Sequence, residues 1–139
     1  MPLTSSQASA VIAAAEARAS SMGVPVIVAV VDDGIHLKAF MRMDGAVLGS
    51  IDIAIKKART SALFQANSEA VWEYCKPGAP APALELTNDG LAPFGGGVPL
   101  RNADGELLGA VGVSGGAVAQ DAEIARAAAA TLVGESVHF

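Results

Sequence analysis

The chain has one cysteine, Cys75, so it can form neither an internal disulfide nor a cysteine-rich metal site. Histidine is almost as scarce. His36 and His138 are far apart and no H-E-x-x-H occurs, so no protein-bound zinc is expected. Positive charge is in short supply, with 9 Lys and Arg against 14 Asp and Glu and a net charge of −5. Duplex binding works by neutralising phosphates, so nucleic acid is not an expected partner. The longest apolar run, residues 24–31, is too short to cross a bilayer. Met1-Pro2-Leu3 lacks a basic leader, and Glu16 and Arg18 interrupt the apolar stretch after Val11-Ile12. No signal peptide is therefore read, no membrane association is expected, and the expected location is the cytoplasm.

What is abundant is small and apolar. Of 139 residues, 52% are hydrophobic, 15 are glycine, and mean hydropathy is +0.44. That composition excludes disorder and fits one domain over residues 1–139. It also leaves more apolar surface than a small monomer hides easily, so a homo-oligomer is expected.

Thr4, Ser5 or Ser6 can cap a helix whose apolar stripe runs through Ala8, Val11, Ile12, Ala15, Ala19 and Met22 to Gly23. Residues 25–32 are continuously apolar and β-branched, which marks a strand covered on both faces. Asp33-Gly34 signals a hairpin. In the next strand, residues 36–43, Leu37, Ala39, Met41 and Met43 alternate with His36, Lys38, Phe40 and Arg42. A second helix is expected over 50–65, with Ile51, Ile55, Ala58 and Ala62 buried and Lys56, Lys57, Arg59 and Thr60 on its flank. Asn67 or Ser68 caps a shorter helix ending near Cys75. Residues 76–94 are punctuated by Pro and Gly, and a loop this long usually has a functional or interface role. A second hairpin turns at 102–105, and a last helix covers about 119–133. Two hairpins separated by helices read as an α+β domain with an antiparallel sheet.

Several groups invite chemistry. Gly112-Val113-Ser114-Gly115-Gly116 fits the G-x-S-x-G pattern of a nucleophile elbow. However, the chain is short for an α/β-hydrolase, and only His138 is placed to complete a triad, so Ser114 is read as a helix cap. Phe94-Gly95-Gly96-Gly97 allows close backbone approach to a ligand, though no Gly-Lys-Ser/Thr follows to make a P-loop. Arg42, Lys56, Lys57 and Arg59 concentrate positive charge, either as a solvated helix flank or as a carboxylate-binding rim. Cys75 is read as a partly buried thiol.

Taken in order, VAVVDDGIHLKAFMRMDGA, GSIDIAIKKARTSALF, FGGGVPL and GELLGAVGVSGG resemble the GlcG/HbpS family, which includes the C-terminal domain of PduO-type proteins. The resemblance spans nearly the whole chain. It implies a profilin- or PAS-like α+β fold with a five-stranded antiparallel sheet flanked by helices. It also implies dimer-based assembly into tetramers or octamers, and haem as the ligand of some members. The elements that match by position are Asp32, His36, Arg42, Asp44, Lys57, the Gly95-Gly96-Gly97 loop and Ser114-Gly115-Gly116. Gly34-Ile35 departs from the Gly-Gly pair that commonly precedes the histidine. The expected activity is binding of a small anionic ligand, haem or another carboxylate-bearing molecule, by His36, Phe40, Arg42, Lys57, Phe94, Gly95, Gly96 and Gly97. Two alternatives are a small enzyme for an organic acid, with His36 as general base, and a non-catalytic oligomeric accessory protein.

Overall fold

A computed structural model describes residues 2–137. Helix α1 (Ser5–Met22) opens on a capping box: the Thr4 hydroxyl accepts from the Gln7 amide while the Gln7 side chain accepts from the Thr4 amide. It ends on Gly23 in the left-handed conformation. Strands β1 (Ile27–Asp32) and β2 (Leu37–Arg42) form the first hairpin, followed by helices α2 (Ser50–Phe64) and α3 (Ser68–Cys75). The loop over residues 76–94 holds one 3-10 turn, Leu84–Leu86. Strands β3 (Gly97–Arg101) and β4 (Leu107–Ser114) then lead to helix α4 (Val118–Val137).

The sheet is antiparallel with the order β2-β1-β4-β3. This corrects the five strands implied by the resemblance: four are present among the described residues. Pro77, Pro80, Pro82 and Pro93 lie in the long loop, and proline has no amide to give a ladder. Pro99 is tolerated in β3 because that strand is an edge.

The central strands are covered on both faces, as their apolar runs predict. Val28, Val30, Val111 and Val113 pack beneath α1 and α4, with Ala8, Val11, Ala15, Ile124, Ala125 and Ala128. Ile27, Ala29, Val31 and Ala110 face α2 through Ala54, Ala58 and Ala62. The contact with α2 is unusually close. A side chain at Gly112 would strike the Ala54 carbonyl, and one at Gly97 would strike the Lys57 carbonyl, so the helix rests directly on sheet backbone.

That seat corrects the expected face of α2. Its buried residues are Ser50, Ala54, Lys57, Ala58, Thr60, Ser61 and Ala62, whereas Ile51 and Ile55 are only partly buried. Small residues win because the glycine backbone leaves no room for large ones. The aromatic rings show the converse. Phe40, Phe64, Trp72, Tyr74 and Phe94 are each at least 39% exposed, so aliphatic side chains fill the core among the described residues.

Candidate functional site

The glycine loop is held at both ends by hydroxyls from the helices beneath it. Thr60 accepts from the Ala92 amide at 3.0 Å, and Ser68 donates to the Phe94 carbonyl at 2.6 Å. Ser68 also accepts from the Gly97 amide at 2.8 Å, and the Val113 amide donates to Gly96. A threonine within α2 and the first serine of α3 thus pin the loop to both helices.

Behind the loop lies Lys57, 1% exposed. Its ammonium donates to the Val113 carbonyl at 2.8 Å and to the Asp121 carboxylate at 3.2 Å, and lies 5.2 Å from the centre of the Phe94 ring. Asp121 in turn accepts from the Gly116 amide at 2.9 Å. Burial pulls the Lys57 ammonium below its ordinary range and pushes the Asp121 carboxyl above its own, while their mutual attraction works against both shifts. Lys57 is therefore not the flank residue expected from helical periodicity. Its donors are engaged internally, which leaves it supporting the Phe94 wall rather than clamping a ligand.

In front of the loop is an open groove of about 520 Å³, lined by Glu69, Trp72, Glu73, Pro93, Phe94, Gly95 and Val118. Across α3 a second groove, of about 510 Å³, is lined by Phe64, Ala66, Ala70, Val71, Glu73, Tyr74, Ala81 and Leu84. The first groove has two aromatic walls and a glycine against which a flat ligand can lie, and its volume falls within the range of small-molecule sites. Those features fit a porphyrin-sized planar group. Sequence reasoning found Phe94 and Gly95 but missed Trp72, Glu69, Glu73 and Val118. The available signal was the lone tryptophan on a short helix between two carboxylates, beside the proline-rich loop.

The remaining expected residues lie elsewhere. Arg42 is in register with Ile27, and Phe40 with Ala29, which pairs with Gly112, the partner of Gly97. Phe40 and Gly97 thus share one row but are three strand spacings apart, about 14 Å, with α2 packed across the strands between them. Within one chain they do not line one pocket.

His36 departs further from expectation. The pairing steps from Ala39 to Leu37 between Val30 and Val31, and this bulge at Lys38 breaks the alternation that placed His36 with Phe40 and Arg42. The imidazole is mostly exposed, 3.3 Å from the Asp32 carboxylate, and lines neither groove. Burial pushes the Asp32 carboxyl up, but amides of His36 and Gly34 together with the imidazole bring it below its ordinary value. Asp32 thereby ties the turn in which Ile35 adopts a φ of +68°, a costly conformation for a β-branched residue.

Ser114 is buried and donates to the Ser50 hydroxyl at 3.0 Å. This corrects its reading as the cap of the last helix: it joins β4 to the start of α2. His138, the expected triad partner, lies outside the described residues. Among the described residues no group of three His, Cys, Asp or Glu side chains is arranged to hold a metal, and no helix is long and apolar enough to cross a membrane.

A family model described as haem degrading protein HbpS-like matches residues 3–130. The chain is 42% identical to protein GlcG of Escherichia coli strain K12 over 112 residues, 81% of each chain. It is 38% identical over 120 residues to the corrinoid adenosyltransferase PduO of Salmonella typhimurium, covering 86% of this chain but only 35% of PduO. The crystal structure of a PduOC:haem complex superimposes with a TM-score of 0.87 at 36% identity, over 94% of both chains. With the fold, the glycine loop and these matches in agreement, the chain belongs to the HbpS-like family.

Proposed function

We propose that the protein binds haem, or another flat carboxylate-bearing ligand, in the groove between α3 and the Phe94-Gly95 wall. The observation that carries this reading is the groove itself, with Trp72 and Phe94 as aromatic walls and Gly95 between them and Val118. The haem bound by the PduOC relative supports the choice of ligand. Gly96 and Gly97 act by letting the loop lie on Lys57, and Lys57 acts by holding the Phe94 ring from behind.

His36, Phe40 and Arg42 lie on the opposite edge of the sheet and reach the ligand from a second copy, in a dimer-based tetramer or octamer. Arg42 is then the partner of the ligand's carboxylates. The test is a haemin titration of the ligand-free chain, followed by its Soret band and by sedimentation. Binding is expected at one haem per subunit in an oligomer, with Arg42→Ala weakening it by about tenfold, equivalent to 1.4 kcal/mol. An unchanged Soret band at micromolar haemin refutes the reading.

A further inference from the structure

The groove is charged on one wall only. Glu69, Trp72 and Glu73 stand at i, i+3 and i+4, so α3 presents both carboxylates on the face that carries the indole. The other lining residues, Pro93, Phe94, Gly95 and Val118, have no ionisable side chain. The Lys57 ammonium behind Phe94 is engaged by the Val113 carbonyl and Asp121, so it does not offset those acids. Lys76 partly neutralises Glu73 at 2.6 Å, whereas Glu69 is in no ion pair among the described residues.

A ligand carboxylate laid against α3 therefore meets like charge. Like charges within about 4 Å at a protein surface repel enough to cost about tenfold in affinity, and a ligand filling the groove displaces the water that screens them. Haem carries its propionates together on one edge, so it can enter with its apolar edge against Trp72 and its carboxylates turned away from α3. A tetrapyrrole with a propionate on every pyrrole has no such orientation.

Resting on the haem reading, we infer that Glu69 and Glu73 are specificity residues: they admit flat ligands whose carboxylates are confined to one edge and reject those with carboxylates all round. They leave the carboxylate edge free for the Arg42 that a second copy supplies.

The experiment compares haemin with ferric coproporphyrin III, which has a propionate on every pyrrole and the same iron. Each is titrated into the full chain and into Glu69→Gln, Glu73→Gln, the double variant, and Glu16→Gln, which removes a carboxylate from α1. Quenching of Trp72, the only tryptophan, reports occupancy of the groove. The parent is expected to bind haemin at least about tenfold more tightly than the coproporphyrin, with the margin shrinking as salt is raised. The double variant gains about tenfold for the coproporphyrin while its haemin affinity stays within about twofold of the parent's. Glu69→Gln gives more of that gain than Glu73→Gln, and Glu16→Gln gives none. Haemin binding by a parent that takes the coproporphyrin equally well overturns the assignment and leaves the haem reading standing. So does a margin that the double variant keeps, or one that Glu16→Gln reduces as much. A parent that binds neither ligand overturns both.

Discussion

Lys57→Met breaks the buried ion pair with little change in side-chain length, and it isolates Asp121, whose side chain is only 3% exposed. Removing one partner of a buried pair generally costs about 3–5 kcal/mol, because the other charge stays desolvated and unpaired. Asp121 keeps the Gly116 amide as a donor, so the lower end of the range, about 3 kcal/mol, is expected. A domain with a total stability of about 5–15 kcal/mol survives that loss. In Lys57→Met/Asp121→Leu no charge is buried. The remaining cost is a few unsatisfied backbone groups, about 1–2 kcal/mol, so the double variant should be more stable than either single one. Urea unfolding of the four proteins at neutral pH, followed by far-UV circular dichroism, measures the cycle. The pH dependence supplies a check of sign. Burial already raises the Asp121 carboxyl, and loss of the cation raises it further. The folded state then takes up a proton that the unfolded state does not hold. The deficit of Lys57→Met therefore shrinks as pH falls through the raised folded-state value. A cost below about 1 kcal/mol, or a double variant as unstable as the sum of the singles, refutes the argument.

Three further outcomes are expected. Asp32 titrates below its ordinary value of 3.8, so its contribution is present above that pH and lost as pH falls through the lower folded value; Asp32→Asn should remove this part of the acid limb in a stability–pH profile. Ser114→Ala leaves the Ser50 hydroxyl without its donor in a buried position and should cost about 1–2 kcal/mol by thermal unfolding while haemin affinity is unchanged. Burial, with Glu85 nearby, raises the Cys75 thiol, so a disulfide reagent should modify it at the rate of local opening and rapidly only in urea.

Both hairpins, the order of helices and the double covering of β1 were legible in the sequence, because each rests on local patterns: apolar runs, turn pairs and caps. The face of α2 was not. Helical periodicity singles out Ile51, Ile55, Ala58 and Ala62, of which Ala58 and Ala62 are buried; the decisive partners are Gly97 and Gly112, remote in the chain, and they bring Ala54, Lys57 and Ser61 inside in place of Ile51 and Ile55. Burial of Lys57 was hidden for the same reason, since only the fold brings Asp121 to it. Of the site, Phe94 and the glycines were legible as a loop capable of close approach. Trp72 and Glu69 were not, because their neighbourhood is created when the loop folds back over α3. The misplacement of His36 came from one extra residue in β2, which alternation cannot register.

The seat of α2 on glycine backbone also determines where the molecule can move. With carbonyls of the helix directly against the backbone at Gly97 and Gly112, no side chain stands between the layers at those two points to change rotamer, so the seam cannot slide or tilt there without backbone collision. Helix α3 is different: it is short, has only Ser68, Val71 and Cys75 buried, and adjoins the long loop. Widening the groove therefore falls to α3 and residues 76–94, swinging against a fixed platform of α2 and β4. Amide hydrogen exchange should register that division, with α3 opening at a low free-energy cost and α2 only on global unfolding.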